Sequence, residues 1–567
     1  MTDIQRPTPL PDTVAKEFAD YAPLLQQLLY NRGITTRADA EQFLYPSYDE
    51  QLHDPFLLHD MSMAVDRICA AVSAAERIVI FSDYDCDGIP GGVVLHDFFS
   101  EIAYAHFHNV IPHRHYDGFG LSIEQVDQMI AQHNPDLIIT IDCGTSDQAA
   151  IAHAASKGVD VIVTDHHEPP AVLPPAVAIV NPKLGDTYPF TELCGAAVVY
   201  KLVQALLSKE QFSIPAGKEK WWLDMVGIAT IADMVPLRGE NRVLAHYGMR
   251  VLRKTRRPGL QHLLRKQRVD QRYLNEDDIG FTIGPRINAA SRMDTPEDAF
   301  NMLASKDESE SGTYVTHLEK LNNERKAAVA TMTKALHKRV RVTTELPEVL
   351  VFGNPEWRPS LVGLAANKLS EEYNRPAFLW GRDGNDKCKG SCRSNGVVSV
   401  VRLMEGAEQI FSEYGGHHMS GGFTVLDTHI HSFSHTLNQA YRELGAAAAA
   451  PRSAHQVDAV ITLEAIDNAF MQAQRMCSPF GCENPKPLYL LESITPTAVE
   501  VFGKQAEHTK LLLGGSALVK EAIAFFKLPE DFTTTVTADT PVSLLVYVED
   551  SYFMNRHQVR LRIVDVI

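Results

Sequence analysis

The stretch Ile78-Val79-Ile80-Phe81-Ser82-Asp83-Tyr84-Asp85-Cys86-Asp87-Gly88 decides the fold: a short apolar run breaks abruptly into alternating acids and a glycine. Two later stretches repeat the pattern. Leu137-Ile138-Ile139-Thr140-Ile141 runs into Asp142-Cys143-Gly144, and Val159 to Thr164 runs into Asp165-His166-His167-Glu168. Continuous β-rich runs of this length read as strands buried on both faces. The stretches Ile123 to Gln132 and Asp147 to Lys157 between them read as helices. Together they predict an α/β fold, a doubly wound parallel sheet. Ligands bind beyond the carboxyl ends of such strands, so acids and imidazoles at three strand ends converge on one crevice.

So many carboxylates in one place would repel one another and raise their pKa values unless cations compensated. Carboxylate oxygens mixed with imidazole suit manganese or magnesium, and no neighbouring thiolate set points to structural zinc. Two ions about 3.5–4 Å apart could share a bridging carboxylate, activate a water and neutralise charge developing on a phosphoryl group. Asp233, after the apolar stretch Val226 to Ile231, offers a fourth contribution. Asp-x-Asp-x-Asp-Gly also looks like part of a calcium loop, yet the twelfth position is Val94 and not glutamate. Asp142 alone could cap a helix, and an adjacent histidine pair alone could be incidental. The coincidence at three strand ends carries the reading.

Working outward, residues 1–50 read as a helical segment ending at Tyr45-Pro46-Ser47, and 51–305 as the catalytic domain. Leu318, Leu321, Ala328, Met332 and Leu336 recur at helical spacing, so 306–345 reads as a connecting helix. A smaller α/β domain over 346–446 opens on the strand Val349-Leu350-Val351-Phe352. Gly445, five alanines and Pro451 read as a linker. The alternation His557-Gln558-Val559-Arg560-Leu561-Arg562-Ile563 marks a strand-rich segment over 454–567 that suits a small β-barrel of oligonucleotide-binding type.

The 567 residues are too many for one core, and 45% apolar with 22% charged residues is ordinary for a globular protein. No apolar run reaches eighteen residues, which excludes a membrane-spanning helix. The polar N-terminus has no secretory h-region, and eight cysteines without a CxxC pair suit reduced thiols in a cytoplasmic monomer. A net charge of −18 argues against a protein that coats nucleic acid. Arg253, Lys254, Arg256, Arg257, Arg265, Lys266 and Arg268 nevertheless make one basic stretch, either a solvated face or a track for phosphates.

Asp165-His166-His167 resembles the signature of the DHH phosphoesterases, and Asp83 to Gly88 resembles their first motif. Leu29 to Ile34, His53-Asp54-Pro55-Phe56, Tyr116 to Leu121, Gly284 to Ala290, Leu321 to Arg325, Gly415-Gly416-His417 and Pro479 to Pro485 are similar, in order, to motifs of the RecJ exonucleases. The resemblance runs from about residue 28 to the C-terminus. It implies a 5′→3′ exonuclease releasing mononucleotides from single-stranded DNA with two Mn²⁺ or Mg²⁺ ions, in repair and recombination. A helicase and a single-strand-binding protein are the partners it implies.

Carried over by residue, Asp83 would hold one ion and Asp85 the other, with Asp142 bridging and His166 and Asp233 completing the second ion's ligands. Asp165 would orient a neighbour from outside, and His167 would sit nearer the scissile phosphate. Arg114, Arg286, Asn288, Ser391, Arg393 and His417 are the implied substrate contacts, guanidinium forks being suited to a terminal phosphate. The chain departs from the family at Ser291 and Cys392, which stand in place of glycines, and at Arg358 and Ser360, in place of a histidine and a glycine. Two other readings remain open: a DHH phosphodiesterase for short oligonucleotides or cyclic dinucleotides, and an inactive single-strand-binding relative. The strand-rich C-terminal segment tells against the first, and the retained carboxylates tell against the second.

Overall fold

The structure, a computed structural model, describes residues 4–210, 212–343, 345–383, 386–445, 455–515, 518–553 and 556–567. The five alanines expected in a linker lie outside the described residues. No helix among the described residues is long and apolar enough to cross a membrane.

The three decisive runs are strands β1 (Ile78–Ser82), β3 (Leu137–Ile141) and β4 (Asp160–Thr164). With β2 (Phe107–Val110) and β5 (Ala178–Val180) they form a parallel sheet in the order β2-β1-β3-β4-β5. Ser82 pairs with Ile141 and Ile141 with Thr164, so the central strands end level. Their runs are apolar throughout because both faces are covered. Ile78, Ile80, Ile139, Ile141 and Ile162 share one core with helices α1 (Gly88–Glu101) and α4 (Gly195–Lys209). Val79, Phe81, Ile138, Val161 and Val163 face the other way, towards α2 (Ile123–His133) and α3 (Gln148–Ser156). The strand order reverses between β1 and β3, and at such a switch point the loops part to leave a crevice. Asp233 follows the buried helix α5 (Leu223–Ala232), and a further helix, α6 (Gly284–Met293), packs into the same core.

The connecting helix is α7 (Glu308–Arg341), with 34 residues spanning about 51 Å. It belongs to two cores. Leu318 and Leu321 pack into the catalytic domain, whereas Val329, Met332, Leu336 and Val340 pack against α8 (Pro359–Tyr373) beyond it. The second domain's sheet runs β9-β10-β8-β7-β6, from β6 (Leu350–Gly353), β7 (Ala377–Arg382), β8 (Cys388–Arg393), β9 (Phe411–Gly416) and β10 (Ser420–Val425). Only β6 and β7 are parallel neighbours.

The C-terminal segment is strand-rich as expected, and among the described residues its ladders form one mixed sheet without a closing pair. The strands of its main sheet are β11 (Ala459–Ile461), β12 (Leu488–Ile494), β13 (Pro496–Phe502), β14 (His508–Leu513), β15 (Val519–Ala524), β16 (Val542–Phe553) and β17 (Arg556–Val566). They run β11-β12-β16-β17-β15-β14-β13 as one mixed sheet over a core that includes Tyr489, Leu511, Leu544 and Leu561. β11 has three residues, and the N-terminal helix Pro23–Asn31 lies against it, Asn31 donating to the Asp458 carbonyl. A helix covers this edge where barrel closure would need a strand.

Four of the seven cations in the basic stretch are engaged within the protein. Arg257 is clamped between Asp97 and Asp224, Arg253 donates to the Leu274 carbonyl, and Arg265 and Lys266 reach Glu308 and Thr316 on α7. Much of this charge holds helices together.

Candidate metal centre and the arginine pocket beside it

Three backbone hydrogen bonds place the acids. The Asp83 N–H donates to the Ile141 carbonyl, that of Asp142 to Thr164, and that of Asp165 to Val180. Each acid thus extends the ladder by one step past its strand, and the three rise across the sheet at one edge. Asp142 then turns left-handed at φ 60°, a conformation that aspartate tolerates better than most residues. Two glycines make room. A Cβ on Gly88 would lie 2.5 Å from the Asp83 carbonyl oxygen, and one on Gly195 would lie 2.7 Å from the Asp142 Cβ.

Ligand atoms of Asp83, Asp85 and Asp142 lie within 4.8 Å of one another, as do those of Asp87, His166 and Asp233, and those of Asp142, His166 and His167. His166 Nε2 is 3.2 Å from Asp142 Oδ1, 3.7 Å from Asp87 Oδ2 and 3.8 Å from Asp233 Oδ2. Asp142 is the residue common to the first and third of these groups. In these groups Asp85 stands with Asp83 and Asp142, and after burial its charge, with that of Asp87, also raises the Asp233 carboxyl. Asp85 Oδ1 accepts from the N–H groups of Asp87 and Gly88 at the start of α1. Asp87 stands with His166 and Asp233. Its carboxylate accepts from Gly195 N and Ala196 N at the start of α4, which fixes its direction. Asp87 was visible as the third acid of the first motif but was not among the expected ligands.

The electrostatics are those of a site built for cations. Burial, then mutual repulsion, pushes Asp83, Asp142 and Asp233 well above the usual carboxylate range and Asp87 up to about 7. Asp83 Oδ1 and Asp142 Oδ1 are buried without a hydrogen-bond partner. Burial, aided by His167, pushes His166 down to about 3, so its imidazole is neutral and free to ligate. Unsatisfied carboxylate oxygens plus neutral imidazole fit two divalent ions with hard oxygen preferences.

Asp165 faces the other way. Its Oδ1 accepts from His166 N and, at 2.7 Å, from His167 Nδ1, and its Oδ2 accepts from Thr145 N. Although burial opposes it, these contacts hold its carboxyl below the usual range. Burial also disfavours charge on His167, but Asp165 raises its pKa overall.

Beside the acids lies a second cluster of like charge. Arg114 and Arg292 come from the catalytic domain, Arg325 from α7 and Arg393 from the end of β8. Burial and then the charges of Arg114, Arg325 and Arg393 push the Arg292 guanidinium down to about 9. Burial, opposed by Cys392 and aided by Arg114, lowers Arg393 too. Ser391 and Arg393 both line Gly363, where a Cβ would meet Ser391 Oγ at 3.3 Å and the Arg393 guanidinium at 3.1 Å. His417, in the turn between β9 and β10, is close enough for the charge on His167 to lower its pKa, after burial. Arg292 and Arg325 were missed. Arg325 ended a recognised motif, whereas nothing in the sequence distinguishes Arg292 from any helix-end arginine.

Arg286 is corrected. It is buried, with its guanidinium spent on Glu319, the Thr282 carbonyl and Gln267, so it is turned to packing and away from a substrate phosphate. Asn288, two residues on, keeps a buried amide oxygen without a partner. The departures from the family pattern are structural contacts. Ser360 donates to the Arg292 carbonyl, and Arg358 to that of Met293. Ser291 and Cys392 are fully buried.

Comparison with known proteins covers most of the chain. The model of the DHH family N-terminal domain matches residues 77–230, that of the DHHA1 domain 313–443 and that of the RecJ OB domain 457–565. The single-stranded-DNA-specific exonuclease RecJ of Bacillus subtilis (strain 168) is 33% identical over 99% of this chain and 70% of its own length. The enzyme of that name from Escherichia coli (strain K12) is 32% identical over 73% of this chain and 74% of its own. The crystal structure of RecJ in complex with Mn²⁺ from Thermus thermophilus covers 100% of this chain and 80% of its own, with a TM-score of 0.81 and 24% identity. A crystal structure of an exonuclease RecJ bound to manganese is 31% identical, with a TM-score of 0.59, covering 68% of this chain and 95% of its own.

Proposed function

The chain belongs to the RecJ family, and from that premise we propose that it is a metal-dependent exonuclease that hydrolyses the phosphodiester bonds of single-stranded DNA from the 5′ end to 5′-mononucleotides. The observation that carries this is the adjacency of two like-charged clusters, acids at the strand ends and guanidiniums beside them. A strand end needs both. Its terminal phosphate is matched by Arg114, Arg292, Arg325, Arg393 and the Ser391 hydroxyl, and its first phosphodiester by the acid crevice.

In this reading Asp83, Asp85 and Asp142 would hold one Mn²⁺ or Mg²⁺, and Asp142, His166 and Asp233, with Asp87 beside them, would hold the other. Bound there, the ions supply charge neutralisation at the phosphoryl group and an acidified water as nucleophile. The protein's own contribution is position. Asp165 orients His167, whose raised pKa favours the hydrogen-bond-donating form beside the scissile phosphate. The arginines fix the register of the strand, so that the bond presented is always the first from the end. His417 and Asn288 face the backbone that follows. Such an enzyme acts on DNA in the cytoplasm, on strands that a helicase unwinds and a single-strand-binding protein presents.

The test uses purified protein, Mn²⁺ and a 5′-phosphorylated single strand labelled at its 3′ end. Progressive shortening from the 5′ end with release of mononucleotides is expected. Shortening from the 3′ end, or cleavage of duplex alone, would overturn the proposal.

A further inference from the structure

One loop of the catalytic domain touches both clusters, and its outward side chains are aromatic. It runs from His113 to Leu121 and carries Arg114, whose guanidinium lies 4.8 Å from the centre of the Tyr84 ring. Two residues later Tyr116 is 72% exposed, and three beyond that Phe119 is 59% exposed. Isolated exposed apolar side chains are ordinary, but two from one short loop beside a reactive histidine are not scattered. The Phe119 ring meets the His167 ring edge-on at 5.4 Å, and Tyr116 lies 4.6 Å from His113.

The loop is anchored at both ends. The His113 N–H donates to Asp117, and the Tyr116 N–H to the His113 carbonyl. His115 Nε2 lies 3.2 Å from the Arg292 carbonyl oxygen. At the far end the Leu121 N–H donates to the carboxylate of Asp147, five residues after Asp142. Gly118 and Gly120 flank Phe119 with φ of 84° and 80°, left-handed values that swing the phenylalanine outward. A Cβ on Gly120 would lie 2.8 Å from the Asp147 carboxylate, so this position has no room for a side chain. The aromatics are therefore exposed on a pinned backbone and pointed away from the core.

We infer that Phe119, with Tyr116 beside it, is a stacking platform for the nucleobase of the strand's terminal nucleotide. This rests on the nuclease reading. The terminal phosphate belongs at the arginines and the scissile phosphate beside His167, so the first nucleotide spans the interval between Arg114 and His167. Both ends of that interval are touched by this loop, and the ring over it is Phe119. Aromatic faces suit this task because every base presents a π-face, so stacking positions a strand end without selecting its sequence. A terminal base that is still paired and stacked within a duplex must give up those contacts first. The platform would therefore favour ends that are already single-stranded.

The experiment compares 5′-phosphorylated single strands that carry either a normal terminal nucleotide or a baseless tetrahydrofuran residue there, each with Mn²⁺ and trace enzyme. The unaltered protein is expected to lose about 5- to 100-fold in kcat/KM on removal of the base. Phe119→Ala is expected to lose a similar factor on the normal strand and little more on the baseless one, while Phe119→Tyr restores the preference. Full activity of Phe119→Ala on the normal strand overturns the inference. So does an undiminished penalty for base removal in that variant, which would place the base elsewhere. A circular-dichroism melt matching the unaltered protein shows that the variant folds, as expected for so exposed a side chain. Should the unaltered protein cut neither strand, the nuclease reading itself falls, and this inference with it.

Discussion

Two clusters of like charge lie side by side in this protein, and they resolve their repulsion differently. The acids of the strand-end crevice can retreat: burial and mutual repulsion push their pKa values up, and a proton can stand in for a cation. The arginines have no such escape. Even pushed down to about 9, Arg292 keeps its proton at neutral pH. A third group shows what ordinary folding does with buried charge. Lys201, fully buried, pairs with Glu240, which also accepts from Tyr188 and from the His53 N–H. There opposite charges meet and all partners are supplied from within. The two like-charged clusters are incomplete by comparison, and each names its missing partner by sign: cations for one, an anion for the other.

Removing the acid that joins the two metal groups should break the comparison most sharply. Asp142→Asn keeps the left-handed turn yet removes the charge to be shared, and loss of activity on the order of a thousandfold or more is expected. Calorimetric titration with Mn²⁺ should show the uptake reduced from two ions. Robust cleavage by this variant would mean that Asp142 does not join two ions. A smaller effect is expected in the arginine pocket. Arg393→Ala should raise KM on a 5′-phosphorylated strand by about 10- to 100-fold, the value of charge-assisted bonds to one phosphate, and should leave a 5′-hydroxyl strand nearly unaffected. Equal losses on both strands would move the terminal phosphate away from Arg393.

The smallest effect is one of stability, and its sign follows from the acids. Asp87 is raised to about 7 in the folded protein, so the fold binds a proton there that the unfolded chain, near 4, does not. Its contribution to stability is therefore complete below about pH 4 and disappears as the pH rises through about 7. Metal ions bound in the crevice would displace that proton. The rise in Tm on adding Mn²⁺ should be a few degrees larger at about pH 8 than at about pH 5.5. A rise that is equal or smaller at the higher pH would show that the acids are not in competition between protons and metal.

The strand ends were legible because apolar runs buried on both faces cannot hide an acid. Each of Asp83, Asp142 and Asp165 appears where the run stops, and the parallel sheet brings them level. Asp87 was legible as chemistry but not as a ligand, since its direction depends on the start of α4, over a hundred residues later. Arg286 and Arg292 show the limit more plainly. They stand six apart in one helical stretch with similar credentials, yet Glu319 on α7 neutralises the first, while three arginines outweigh Asp85 around the second. Which arginine is spent and which is kept depends on long-range packing that local pattern does not contain. The edge of the C-terminal sheet has the same cause: the alternation at His557 to Ile563 marks a strand, but only the fold puts a helix beside β11.

The Arg292 carbonyl, which receives His115 from one side and Ser360 from the other, has a consequence for inheritance. The acids of the metal crevice all lie between residues 83 and 233, on a single domain. The guanidinium pocket is assembled from the loop before α2, the end of α6, the middle of α7 and the end of β8, so it exists only where two domains meet. A lineage could lend the first domain to other partners and keep the hydrolytic chemistry intact. In the proposed reading it could not keep the preference for a strand's end, because the guanidiniums that would hold that end belong to the joint.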